Sequence, residues 1–143
     1  METVHFDLHS PYYRQSLAIR EDVFVREQEI DRSLEVDEYE AECTYFLTMK
    51  NGDPVATGRL RVAGKKIKFE RIATLSSSRN SGAGTHLMKA MEAFARSQFP
   101  EFTPFMHAQI SAAGFYEKRG WTRVGELFDE AGIPHVAMKL PPS

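Results

Sequence analysis

The chain has 143 residues, 42% of them hydrophobic, and a formal net charge of −2. That size fits one domain over residues 1–143 with one core, and the charge balance excludes a broad electrostatic field for nucleic acid. No apolar run approaches the roughly 18 residues of a membrane span, the first ten residues lack the order of a secretory signal, and the single cysteine excludes a disulfide framework, so a soluble cytoplasmic protein is expected.

In chain order, TVHFDL alternates and predicts a first strand. Ser10 and Pro11 open a helix over Tyr13–Gln28, with Tyr13, Leu17 and Phe24 on one face and Val23 beside it. Residues 27–42 hold eight of the 20 acidic residues and one base, Arg32. This run reads either as a solvated face on short helices and a loop, or as an acidic rim that attracts a cationic amine. Cys43 opens a strand and reads as a buried, inert thiol. TYFLTMK, Asn51-Gly52 and PVATGRLRV form a hairpin signal, because Asn-Gly tolerates the positive φ angles of a tight turn. Within its second strand Leu60 and Val62 give an apolar face and Arg59 and Arg61 a charged one. Gly64 and Lys65 turn into KIKFERIATL, where counting in twos puts Glu70, Ile72 and Thr74 on one face.

After a glycine loop, Leu87, Met88, Met91, Phe94 and Ala95 form the stripe of a helix that ends before Pro100. FMHAQI predicts a strand, SAAGFYEKRG a helix closed by Gly120, and WTRVGELF with IPHVAMKL a final hairpin. The order β-α-α-β-β-β-α-β-α-β-β implies an α/β (α+β) fold, with helices flanking a mixed, mostly antiparallel sheet.

The stretch SRNSGAGTHLM, residues 78–88, carries the clearest chemistry. Free backbone N–H groups and the positive end of the dipole make a helix start an anion site, and glycine lets a pyrophosphate approach the backbone. Arg79 adds a cation; the alternative is an ordinary tight turn. No Gly-Lys-Ser/Thr follows, so it is not a P-loop, and the dinucleotide fingerprint's third glycine is missing. No His, Cys or acidic set has metal-ligand spacing, and no Ser-His-Asp order is supported, so no metal is expected.

RNSGAG, Arg79–Gly84, resembles the Arg/Gln-x-x-Gly-x-Gly/Ala motif of the GNAT superfamily of acetyl-CoA-dependent N-acetyltransferases, and ERIATL sits where that family pairs a strand with pantetheine. QISAAGFYEKRGW resembles the family's Asn-x-x-Ala-x-x-Phe-Tyr-x-x-x-Gly-Phe segment at Ala112, Phe115, Tyr116 and Gly120, with Gln109 for Asn and Trp121 for Phe. REDVFVREQ and DEAGIPHVAMKL extend the likeness over nearly the whole chain, toward the small bacterial branch of YjcF- and ElaA-like proteins.

The resemblance implies a GNAT fold that uses acetyl-CoA as co-substrate. Backbone groups around Ile72, Ala73 and Leu75 would pair with pantetheine, and that near Ala73 would polarise the thioester carbonyl. The amides of Arg79, Asn80, Ser81, Gly82, Ala83, Gly84 and Thr85 would wrap the pyrophosphate; Gln109, Ala112 and Phe115 would complete the cofactor wall. Tyr116 would be the general acid, or its ring would only pack beside Phe115. Glu70 is the candidate base, with an ion pair as its alternative. Glu27 and Asp37 are acceptor-site candidates; His107 and His135 could also serve, with a structural place in a strand as the alternative for each. The implied reaction moves an acetyl group to a small-molecule or peptide primary amine; the alternative is a catalytically silent module that senses CoA or an acyl-CoA. The superfamily also allows a homodimer.

Overall fold

A computed structural model describes residues 1–142, and at Ser33 and Leu34 the backbone alone. Strand β1 (Glu2–Phe6) leads to α1 (Tyr12–Arg20), which runs on as a π-helical stretch (Glu21–Glu27), then to the short α2 (Arg32–Glu35). β2 (Thr44–Lys50), β3 (Asp53–Ala63) and β4 (Lys66–Thr74) follow as a meander. α3 (Ala83–Gln98), β5 (Thr103–Gln109), α4 (Ile110–Lys118), β6 (Thr122–Glu130) and β7 (Ile133–Lys139) complete the chain. The helix expected over Tyr13–Gln28 is thus two pieces, its second half widened to π geometry, a form found disproportionately at functional sites.

The seven strands form one sheet in the order β1-β2-β3-β4-β5-β7-β6. Every pairing is antiparallel except β4 with β5, and that parallel contact covers only Lys66–Lys68 against Thr103–Phe105. Beyond it the two strands part. Asn51 and Gly52, at φ 54° and 83°, make the expected hairpin turn. Gly120, at φ 97°, ends α4 in a Schellman pattern, with Trp121 N–H bonded to the Tyr116 carbonyl and Gly120 N–H to that of Glu117.

Two cores hold the sheet. On one face the α3 stripe of Leu87, Met88, Met91 and Ala95 packs on Ile67, Phe69, Met106 and Met138. Burying each large apolar side chain contributes about 1.5–3 kcal/mol. On the other face Ile19, Val23 and Phe24 pack on Leu47 and Ala73.

A bulge in β4 changes its phase. Arg59 pairs with Glu70 but Thr57 pairs with Ala73, so Gly58 faces two residues, and the first of them, Arg71, sits at φ 53°. Ile72 therefore packs toward α3 with Phe69, while the Glu70 carboxylate reaches Arg59 and Arg61 on the other face. Counting in twos fails here because it assumes an unbroken pleat. At Gly58 a Cβ would lie 2.7 Å from Met91 Sδ and 3.3 Å from Ile72 Cγ1, so a larger residue there would push the end of the Met91 side chain aside.

Candidate active site

Where β4 and β5 separate, a cavity of about 1100 Å³ opens through the sheet. The starts of α3 and α4 wall it on one face; the π stretch and the β6–β7 turn wall it on the other. The glycine loop lies at one end. A 3-10 turn at Ser76–Ser78 leads to Gly82, the N-cap of α3, at φ 91°. No side chain caps that first turn, so its N–H groups are left for an external acceptor. Asn80, Gly82, Gly84 and Thr85 line the cavity there. Ser81 instead bonds the Ser78 carbonyl, and Ala83 is buried beneath the loop.

On β4, Ile72 and Ala73 line the cavity. Leu75 does not join them. Its N–H bonds the Val55 carbonyl at 2.9 Å and its carbonyl accepts Ser78 N–H at 2.9 Å, so both backbone groups already have partners. From α4, Ala112, Phe115 and Tyr116 face the cavity. Tyr116 is 7% exposed and its ring lies 5.3 Å from that of Phe115, yet no described residue bonds its hydroxyl. Gln109 ends β5 and exchanges two amide bonds with Gln28, at 2.8 and 3.2 Å, across the mouth of the cleft.

Residues 12–141 match the acetyltransferase (GNAT) domain family. The chain belongs to that family. As a GNAT protein it is an acyltransferase. It is 38% identical to the uncharacterized N-acetyltransferase YjcF of Bacillus subtilis, over 87% of this chain and 89% of that one. Its fold superposes on the crystal structure of Escherichia coli ElaA with a TM-score of 0.88 at 23% identity, covering 99% of this chain and 100% of that one. An aminoglycoside 6'-N-acetyltransferase complexed with coenzyme A shares the fold with a TM-score of 0.72 at 16% identity, covering 100% and 99%.

Charge in this GNAT site departs in part from the expectation for residues 27–42. Most of that acidic run is solvated, with Glu27, Glu29, Asp31, Glu38 and Glu42 exposed, but Glu35 and Glu40 are buried on arginines. Arg20 bonds Glu35 at 2.5 Å and both oxygens of Glu40 at 2.8 and 2.9 Å. Arg59, on the charged face of its strand, is only 1% exposed and bonds Glu40, Asp37 and Glu70 at 2.8, 2.7 and 3.0 Å. Tyr13 and Tyr45 donate to Glu40 as well, and burial pushes the Tyr13 hydroxyl up to about 12. Buried charges need this density of partners.

Arginines also claim the candidate base and both acceptor-site carboxylates. Asp37 pairs with Arg59 and Arg71 and does not line the cavity. Glu70 lines it, but Arg59 and Arg61 hold its carboxyl below the usual range against the upward pull of burial. Its ion-pair alternative is the arrangement present. Glu27 receives both terminal nitrogens of Arg79, at 2.6 and 2.7 Å, a bidentate grip that also suits a phosphate. Residues expected at opposite ends of the site therefore meet. His107 and His135 line the cavity with Glu130, a residue no motif singles out. A search for His and acid pairs across β5, β6 and β7 would have found the three. Burial holds the Cys43 thiol up at about 11, and it donates to the Tyr39 carbonyl. Among the described residues no group of His, Cys, Asp and Glu could hold a metal, and no helix is long and apolar enough to cross a membrane.

Proposed function

We propose that this GNAT protein moves an acetyl group from acetyl-CoA to a primary amine, in the cytoplasm where that thioester is made. The observation that carries the reading is the cavity itself. It has an uncapped helix start at one end and in its wall a tyrosine hydroxyl that no described residue bonds, and it passes through the sheet at the parallel pair of β4 and β5. The residues fit the co-substrate, since Gly82 and Gly84 leave backbone open to a pyrophosphate and Arg79 adds charge.

Acetyl-CoA supplies an activated acyl carbon whose thioester yields to an amine and releases a thiol. Around it, backbone N–H groups of β4 beyond Glu70 face the gap and would hold the carbonyl oxygen as charge grows on it. The bulge at Arg71 sets their direction. The Tyr116 hydroxyl, kept protonated by its burial, gives its proton to the departing sulfur and recovers one from the nitrogen that has just bonded. Glu70 serves as a structural anion between Arg59 and Arg61 and takes no proton. The acceptor on this reading is a small-molecule or peptide primary amine.

Thiol release from acetyl-CoA with a panel of primary amines tests the reading. Tyr116→Phe keeps the ring and should lower turnover roughly 10²- to 10⁴-fold, with acetyl-CoA affinity little changed. Wild-type protein that binds acetyl-CoA and releases thiol to no amine would favour the silent sensor. Near-wild-type turnover in a folded Tyr116→Phe protein would leave the residue to packing.

A further inference from the structure

Beyond the loop and Tyr116, the cavity has a second wall with chemistry of its own. Met106 and Ala108 of β5, and Val136 and Met138 of β7, are buried toward α3 and α4. By the period of two, His107 and His135 project from the opposite face. The register sets His135 beside Gln109 on one side and Phe128 on the other, while Glu130 closes the β6–β7 turn against Ile133. His107 Nδ1 lies 2.9 Å from Glu130 Oε1, and His135 Nε2 lies 3.7 Å from Glu130 Oε2. His135 is 6% exposed, and its Nδ1 is 2.7 Å from the Ile133 carbonyl oxygen. A carbonyl only accepts, so Nδ1 carries the hydrogen and Nε2 holds the lone pair of the neutral ring.

The other carboxylates in this cavity are unavailable. Glu27 is held by Arg79, Glu35 by Arg20, and Glu70 by Arg59 and Arg61. Glu130 is the exception among the described lining residues. Its partners are two imidazoles, and the Lys68 charge also reaches it. Its side chain is about half exposed, open to an arriving cation. Tyr116 approaches the gap from the α4 face; this cluster approaches from the other.

Resting on the acetyl-transfer reading, we infer that His107, Glu130 and His135 form the amine-receiving site, with His135 Nε2 as the base. Glu130, braced by His107, attracts the acceptor ammonium. One N–H proton then passes to His135 Nε2, the nitrogen keeps the electron pair that attacks the acyl carbon, and the imidazolium is balanced by the Glu130 carboxylate. A free primary ammonium titrates near 10.4, so at neutral pH a base is needed to deliver the neutral amine. The proton leaves to solvent past Glu130. The other charged groups lining the cavity are Lys68, Arg71, Arg79, Glu27, Glu35 and Glu70, and the three carboxylates are each held by arginine.

The test is thiol release at saturating acetyl-CoA with a primary amine, from pH 6 to 9. His135→Gln should lower kcat/KM for the amine by about 10²-fold or more near pH 7 and flatten the pH profile. Glu130→Gln should raise the amine KM about tenfold with a smaller change in kcat. Acetyl-CoA should stabilise both variants against heat as it does wild type. A folded His135→Gln protein with the wild-type profile overturns the proposal. If that variant does not fold, Glu130→Gln decides, and an unchanged amine KM and pH profile overturns it equally. Wild-type protein that releases no thiol to any amine removes the transfer reading and this one together, whereas an active wild type with unaffected variants removes this one alone.

Discussion

A methyl group on Gly84 would sit 3.6 Å from Phe115 Cζ and 3.6 Å from Thr74 Oγ1, which is ordinary contact. The folded protein therefore has room for alanine, but the room lies in the cavity wall at the start of α3. Gly84→Ala should leave the ligand-free protein as stable as wild type, or more stable by about 0.5–1 kcal/mol through lower chain entropy. On the proposed reading acetyl-CoA affinity should fall tenfold or more, because the added carbon would stand where the pyrophosphate is proposed to approach the backbone. Melting curves with and without acetyl-CoA separate the two effects, and a wild-type ligand shift in the variant would remove this loop from the binding site. Gly82 is less informative, since its φ of 91° would strain any replacement.

The elements bordering the cleft are tied down by charge. Glu40, on the loop before β2, takes bonds from Arg20 of α1, Arg59 of β3, Tyr13 and Tyr45. Those partners hold the Glu40 carboxyl far below its usual range despite burial, and Glu70 is lowered in the same way. A depressed carboxylate contributes stability that is present above its unfolded value of about 4.5 and is lost as pH falls through the lower folded value. Melting temperature should therefore drop steeply below about pH 4.5. Glu40→Gln should cost about 3–5 kcal/mol at pH 7, because two buried arginines lose an anion, and should make the acid limb shallower. Urea unfolding between pH 7 and 3 measures both, and parallel curves for the two proteins would show that Glu40 is not the hub. The bulge belongs to this scale too. Its registration of Glu70 onto Arg59 comes with the left-handed Arg71 opposite Gly58, and no two-residue pattern in KIKFERIATL announces it.

At the scale of the molecule, β1–β4 and β5–β7 are two sheet halves joined by a short parallel contact, with α3 and α4 packed across one side. A ligand in the gap would bridge the halves. Acetyl-CoA at one hundred times its Kd should add about 2.7 kcal/mol, a rise in Tm on the order of 10 °C. Slowed hydrogen exchange should concentrate at the β4 amides from Ile72 to Thr74 and at the start of α3. Protection centred on β1 and β2 instead would place the ligand elsewhere.

The elements were legible because their signals are local. Asn51-Gly52 names its own turn, the α3 stripe repeats every three or four residues, and Gly82 and Gly84 mark a helix start open to an anion. The order of elements and the GNAT motifs also lie in the one-dimensional chain. What only the tertiary structure decided was which charges meet. Arg79 and Glu27 are 52 residues apart, Arg59 and Asp37 are 22, and His107 and Glu130 are 23. Sequence reading saw an acidic run, an alternating strand and isolated histidines; the fold drew Glu35 and Glu40 of the run and Arg59 of the strand into buried ion pairs and set the histidines around one carboxylate. A buried charge is tolerated only with partners in place, and strand order and the bulge choose those partners. Neither of these has a short-range code.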